Sequence, residues 1–263
     1  MSLTPAQRYF YDVNGYVLLK NLFTRDQCRR FVEIADRMDA EDTCAYKHDG
    51  YPKRPTLTVL SRCAWYDPHL LDTARHPAVL PVIEEVTGGE ERLEEHQYLI
   101  NYPDPAGYDP DLPIGNLAWH RALGAAWGGF RVDGRYHCFV NKALIYLTDN
   151  SPNDGSGTWV VPGSHRMDTP TPALCAFLDA SLCRQIEADT GDVLILSETL
   201  VHSVPRLKPG ASPRYSLVYG YSVPFMQTWN RYDPPTELLD CVTPEQRRFL
   251  TGEVRYAYRT NDK

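Results

Sequence analysis

The sequence predicts an α+β protein whose later part forms a barrel-like sheet. Helical patterns come first and strand patterns follow, and the 263 residues include 17 tyrosines and 21 prolines, which favour strands and ordered loops over a helical bundle. No internal repeat or low-complexity linker divides the chain. We therefore expect one domain over residues 1–263, with a helical N-terminal part (1–92), a strand-rich core (93–224) and a C-terminal segment (225–263).

Local signals define the predicted elements. Thr24 and Gln27 form a capping box ahead of an amphipathic helix, Gly88-Gly89 ends a second helix, and an Asn14-Gly15 turn precedes an apolar strand. The predicted helices are residues 25–39, residues 77–86 and a short helix between Thr243 and Gly252. The predicted strands are residues 16–19, 97–102, 137–148, 158–162, 192–197 and 215–222. Residues 42–76 show no clear period, and we interpret them as a lid or a substrate loop.

Composition excludes several classes of function. The net charge of −7 argues against binding to nucleic acid or to an anionic membrane surface, and no apolar run is long enough to span a bilayer. The N-terminus lacks the apolar core of a signal peptide, and the seven scattered cysteines contain no C-x-x-C pair. These features predict a cytoplasmic protein with reduced thiols that acts on a small molecule. A carrier protein as partner is not favoured, because no basic surface is evident for an acidic carrier.

Two histidines indicate a metal site. His120 lies in Trp119-His120-Arg121-Ala122, and His202 follows Gly191-Asp192-Val193-Leu194-Ile195. A histidine, a carboxylate two residues later and a distant second histidine form the facial triad of non-haem iron, but here Ala122 occupies the carboxylate position. Strand alternation places residues 120 and 122 on one face, and Arg214 is suited to bind a carboxylate bidentately. A single histidine is more often an ordinary core or surface residue, so spacing alone does not establish the site.

The chain resembles the phytanoyl-CoA dioxygenase family of iron(II)- and 2-oxoglutarate-dependent oxygenases. The resemblance lies in Asn14-Gly15-Tyr16-Val17-Leu18, Trp119-His120, the run from Asn153 to His165 that ends Val161-Pro162-Gly163-Ser164-His165, Gly191 to Ile195, His202 and Arg214. It implies a double-stranded β-helix, a distorted cupin-like jelly roll with flanking N-terminal helices and its β-helix core in residues 93–224. It also implies iron(II), 2-oxoglutarate and O2 as cofactors.

The same resemblance assigns roles to individual residues. His120 and His202 are the implied iron ligands, Arg214 the residue that binds the distal carboxylate of 2-oxoglutarate, and Gln97 a second residue facing that cosubstrate. His165 is expected to brace a turn.

Ala122 departs from the family pattern, in which hydroxylases have aspartate. Iron/2-oxoglutarate halogenases of the wider superfamily are similar in having alanine or glycine here, so chloride is predicted to occupy the open position, with Arg121 and Trp127 as candidate halide-pocket residues. Two alternatives stay open. One is a hydroxylase-like enzyme, in which water or another carboxylate (Asp133 or Glu198) completes the site, or in which the aspartate was replaced by design. The other is an inactive module that binds 2-oxoglutarate or a metabolite.

Overall fold

The computed structural model describes residues 2–41, 48, 52–106, 108–227 and 233–252. The α-helices in these ranges are α1 (Pro5–Asn14), α2 (Arg25–Ala40), α3 (Cys63–Tyr66), α4 (Pro68–Ala74), α5 (Leu80–Thr87), α6 (Ala125–Gly128), α7 (Thr171–Cys175), α8 (Thr236–Cys241) and α9 (Pro244–Thr251). The strands are β1 (Tyr16–Leu19), β2 (Leu57–Ser61), β3 (Arg92–Asn101), β4 (Gly129–Val132), β5 (Arg135–Cys138), β6 (Val140–Tyr146), β7 (Trp159–Val160), β8 (Arg184–Gln185), β9 (Val193–Ser197), β10 (His202–Ser203) and β11 (Arg214–Ser222). None of the helices within these ranges is long and apolar enough to cross a membrane.

The strands form antiparallel sheets. Six of them make the main sheet in the order β1-β9-β6-β11-β3-β2, three make a small sheet in the order β10-β7-β8, and β4 and β5 form a hairpin. The predicted α+β character is therefore present as a mixed α/β fold with mostly antiparallel sheets. The double-stranded β-helix stays a prediction, and the arrangement of the main sheet and the small sheet is compatible with it.

Each face of the main sheet packs into its own apolar cluster. Side chains such as Tyr98, Ile145 and Tyr219 face the helices and belong to the larger cluster. Side chains such as Leu144 and Val218 point the other way and pack with Val160 of the small sheet. The alternation of side chains along each strand produces this division. The space between the two sheets is where the candidate site lies.

Capping signals correctly located several helices. Thr24 and Gln27 form the predicted capping box of α2, Thr243 and Gln246 form another at the start of α9, and Gly252 ends α9 in the left-handed conformation. Gly88 likewise ends α5, although that helix begins at Leu80 rather than residue 77.

Other predictions differ from the structure. The elements without a predicted counterpart are α1, β2, α3, α4, α6, β4, α7, β8, β10 and α8. Because β2 is hydrogen-bonded to β3, residues 57–61 are part of the main sheet and not a lid. β1 and β2 also show that the part before residue 93 is not only helical. The predicted strand 137–148 is two strands, because β5 pairs with β4 whereas β6 lies in the main sheet. Residues 42–47 and 49–51 of the predicted lid lie outside the described residues.

Candidate metal and cosubstrate site

His120 and His202 lie side by side between the two sheets. His202 belongs to β10, and an antiparallel bridge joins it to His120 through two backbone hydrogen bonds of 2.9 Å. The centroids of the imidazole rings are 4.3 Å apart. The fold therefore brings together two residues that are distant in the chain, as the predicted site requires.

The hydrogen bonds of the two rings orient them for metal binding. The Nδ1 atom of His120 lies 3.0 Å from the carbonyl oxygen of Ala118, and Nδ1 of His202 lies 2.9 Å from that of Leu200. Because a carbonyl oxygen can only accept, each Nδ1 carries the proton and each Nε2 keeps a lone pair for a metal. Burial, followed by the charges of His120 and Lys142, holds the pKa of His202 well below its usual range. A neutral imidazole is the form that binds iron(II).

The third position of the triad offers no ligand. Ala122 lines the same cavity as the two histidines. Among the described residues, no group of three or more His, Cys, Asp or Glu side chains is arranged to hold a metal ion. Asp133, one of the alternative carboxylates, lies in the turn between β4 and β5 and does not line the cavity. The other, Glu198, does line it.

The cavity has a volume of about 370 Å³, within the usual size of small-molecule sites. Alternation along β3 turns Glu95, Gln97 and Leu99 into it, while the residues between them face the other way. Leu144 of β6 and Val218 of β11 add apolar surface. The cavity therefore combines polar groups with an apolar wall, as a site for a substrate and a cosubstrate must.

Arg214 lies at the start of β11 and is only 2% exposed. Its guanidinium donates from Nε to Asn150 (2.5 Å), from Nη1 to Asn101 (3.0 Å) and from Nη2 to Thr158 (2.9 Å). These partners are neutral oxygens, and within the described residues no carboxylate is paired with this charge. Burial lowers the pKa of Arg214, while Tyr146 opposes that effect. A buried guanidinium without a counter-ion is suited to bind an anion.

Gln97 is the second predicted cosubstrate residue. Its side chain is 6% exposed and lines the cavity. Its Oε1 atom has no hydrogen-bond partner among the described residues. Because buried polar atoms are normally paired, this amide has capacity for a ligand.

The two predicted halide-pocket residues are placed differently. Arg121 borders the cavity, but its guanidinium donates to the carbonyl oxygens of Met167 (2.9 Å) and Thr169 (2.6 Å), so it mainly fastens a loop. Trp127 is 56% exposed and does not line the cavity, so the structure corrects its proposed role in a halide pocket. Its position in α6 turns the indole toward solvent. His165 is fully buried beside Gly15 and its Nε2 lies 3.3 Å from the backbone oxygen of Asp12, a position consistent with the prediction that it braces a turn.

A buried ion cluster also borders the cavity. The Nζ atom of Lys142 lies 3.0 Å from Glu95 Oε2 and 3.3 Å from Glu198 Oε1. Burial by itself lowers the pKa of Lys142, but the two carboxylates outweigh it and raise the pKa. Sequence reasoning did not identify this cluster. The missing signal was the pairing of three distant residues, although strand alternation does predict that residues 95 and 97 share a face.

Comparison with known proteins identifies the family. The family model for phytanoyl-CoA dioxygenase (PhyH) matches residues 11–206. The chain belongs to the phytanoyl-CoA dioxygenase family. It is therefore a non-haem iron(II)/2-oxoglutarate-dependent oxidoreductase. A probable phytanoyl-CoA dioxygenase from Caenorhabditis elegans is 22% identical over 227 residues, which cover 76% of this chain and 69% of the relative.

Solved structures show the same fold. HygX from Streptomyces hygroscopicus with nickel and 2-oxoglutarate bound has a TM-score of 0.70 at 23% identity, covering 88% of this chain and 91% of HygX. The HygX complex that also holds hygromycin B has a TM-score of 0.66 at 24% identity, with coverages of 87% and 90%. The epimerase SnoN in complex with Fe3+, α-ketoglutarate and nogalamycin RO has a TM-score of 0.60 at 19% identity and 82% coverage of both chains.

Proposed function

We propose that this enzyme uses iron(II), 2-oxoglutarate and O2 to functionalise an unactivated C–H bond of a small molecule, and that a halide completes the metal site so that the product is halogenated. The observation that carries the proposal is Ala122 beside the His120–His202 pair, with no third ligand among the described residues. A missing aspartate leaves both an open position and one negative charge too few. A chloride ion would occupy the open position and supply the missing negative charge.

The residues of the cavity fit these cofactors. His120 and His202 would hold the iron through Nε2. Arg214 would bind the distal carboxylate of 2-oxoglutarate, and the Gln97 amide would form a hydrogen bond to the same molecule. When bound, the iron and 2-oxoglutarate supply the oxidising power with O2. The chain itself positions the reactants, because Leu99, Leu144 and Val218 form an apolar wall against which a substrate carbon can pack.

A small molecule is the proposed substrate. The related HygX and SnoN structures hold hygromycin B and nogalamycin RO, and the cavity here has the size of a small-molecule site.

Hydroxylation is the second candidate, and Glu198 is the observation that favours it. Its carboxylate is 1% exposed and lines the same cavity, and its backbone carbonyl accepts a hydrogen bond of 3.1 Å from Leu123, the neighbour of Ala122. A carboxylate that lines the same cavity as the two histidines would replace the missing aspartate if its side chain turned toward the metal. The product would then carry oxygen instead of halogen.

The decisive experiment is a crystal grown without O2 in the presence of iron(II), 2-oxoglutarate and bromide. We expect anomalous bromide signal beside the iron in the natural sequence and none in Ala122→Asp, because the new carboxylate occupies the same position. His202→Ala is the control and should hold no iron. Iron without a halide at millimolar bromide, with Glu198 or water as the third ligand, would instead support hydroxylation.

Succinate formation tests the remaining alternative. An active enzyme converts 2-oxoglutarate to succinate in the presence of iron(II) and O2, whereas an inactive binding module retains 2-oxoglutarate unchanged. We expect succinate from the natural sequence and from no variant that lacks His120 or His202.

A further inference from the structure

The Glu95–Lys142–Glu198 cluster joins the main sheet to the loop that precedes His202. Glu95 lies on β3 and Lys142 on β6, whereas Glu198 follows the last residue of β9. The side chains of Glu95, Lys142 and Glu198 are 2%, 14% and 1% exposed. Two carboxylates that share one ammonium would repel each other without it, so Lys142 sets the position of both.

Glu198 is one of two carboxylates in the cavity wall, and it belongs to the segment that leads to His202. It lines the cavity with both histidines and Ala122, and its backbone is bonded to Leu123 on one side and to Val140 on the other. Its side chain has three rotatable torsions and is acceptor-only when ionised. Nevertheless no three-ligand group exists among the described residues, and Glu198 Oε1 lies 3.3 Å from Lys142 Nζ as an ion pair.

We propose that Lys142 is a positioning residue that holds the Glu198 carboxylate on the main sheet and thereby keeps the third metal position open to an external ligand. This inference rests on the proposed function, because it requires a metal between His120 and His202. The open position would then depend on two features of the chain: the alanine at 122 and the ammonium that restrains the Glu198 carboxylate.

A charge-balanced variant tests the proposal. Glu95→Gln combined with Lys142→Met removes one positive and one negative charge and leaves Glu198 as the buried carboxylate without an ammonium. With Co(II) as the probe metal and 2-oxoglutarate present, we expect at least tenfold tighter Co(II) binding than in the natural sequence. Addition of chloride should perturb the Co(II) absorption bands of the natural sequence and leave those of this double variant unchanged.

Two matched variants isolate the role of Glu198. Glu95→Gln alone keeps the Lys142–Glu198 pair and should bind Co(II) within twofold of the natural sequence, with the same chloride response. Adding Glu198→Gln to the double variant should remove the gain in affinity. Circular dichroism confirms that each variant is folded.

Other results would overturn the proposal. They are a double variant with unchanged Co(II) affinity and an unchanged chloride response, or a tenfold loss of affinity when Glu198→Gln is introduced alone, which would mean that Glu198 already binds the metal. The second result would overturn the proposal even if the double variant did not fold. Retention of Co(II) by His202→Ala would instead contradict the metal site itself, and with it the proposed function.

Discussion

At the scale of single residues, Arg214 is the buried charge that we expect to bind the cosubstrate. Its guanidinium is buried on three neutral oxygens, so its charge is desolvated without a carboxylate partner among the described residues. Binding of an anion here costs less desolvation free energy than binding to a solvated arginine, because folding has already removed water from the guanidinium. The unpaired charge is therefore better explained by ligand binding than by stability of the fold.

Replacing Arg214 should weaken 2-oxoglutarate binding. Loss of a buried, hydrogen-bonded charge pair typically costs about 2–5 kcal/mol, so Arg214→Ala should raise the dissociation constant at least tenfold. Arg214→Lys should recover only part of the affinity, because an ammonium lacks the planar fork of donors. Titration of the metal-loaded protein with 2-oxoglutarate in the absence of O2 measures both effects.

The matched control is Arg25→Ala, which removes an exposed arginine paired with the exposed Asp149. Its 2-oxoglutarate affinity should equal that of the natural sequence. Equal affinity in Arg214→Ala would place the carboxylate site elsewhere in the cavity.

At the scale of secondary-structure elements, the site depends on how closely neighbouring segments approach. Gly191 precedes β9 with φ of 95°, and its carbonyl oxygen accepts hydrogen bonds of 3.0 Å from Leu22 and Phe23 in the loop after β1. A Cβ atom at residue 191 would lie 2.0 Å from the carbonyl oxygen of Phe23. The β1–β9 pair can therefore form at the edge of the main sheet only with glycine at this position.

We predict that Gly191→Ala is severely destabilising and that Gly210→Ala is tolerated. Both glycines have positive φ, but a Cβ atom at Gly210 would meet nothing within 4 Å. Gly210→Ala should therefore cost only the backbone strain of about 1–2 kcal/mol, whereas Gly191→Ala adds a steric clash with backbone and should cost about 4 kcal/mol or more. Urea denaturation gives both free energies of unfolding. Equal losses in the two variants would show that close packing at Gly191 is unimportant.

At the scale of the whole molecule, buried neutral histidines couple the fold to pH. His96 is 2% exposed and its Nδ1 accepts a hydrogen bond of 3.1 Å from the backbone of Ala64, while His165 is fully buried. Burial, assisted by Arg62, lowers the pKa of His96 to about 3. Burial lowers the pKa of His165 to about 4, against a smaller opposing effect of its hydrogen bond to Asp12.

Stability should therefore fall in acid. Both folded-state pKa values lie below the ordinary value of 6.5, so the unfolded chain binds protons first as the pH decreases. The stabilisation is complete above pH 6.5 and is lost as the pH falls toward 4 and then 3, by up to about 1.4 kcal/mol per pH unit for each histidine. Urea denaturation at pH 7, 6 and 5 measures the trend. His96→Gln should reduce the slope, and an unchanged slope would exclude His96 as its source.

Signals within a few residues were sufficient for much of the fold and part of the site. The capping box at Thr24, the short helix between Thr243 and Gly252 and the strand preceded by Asn14-Gly15 were predicted correctly, because a cap or a turn depends on groups that are close in the chain. Strand alternation was a poorer guide at residues 120–122, because His120 forms only an isolated bridge and Arg121 lines the same cavity as His120 and Ala122. The beginning of β3 was missed because its buried Arg92, Glu94 and Glu95 hide the apolar pattern of a strand.

The sequence by itself determined the family, the two candidate histidines and the alanine that interrupts the triad. Tertiary structure decided that β1 and β2 complete the main sheet, that Trp127 faces solvent, and that Lys142 pairs with both Glu95 and Glu198. The physical reason is the separation along the chain between the groups that interact. Capping and alternation act over two to four residues, whereas strand pairing and buried ion pairs depend on which distant segments meet.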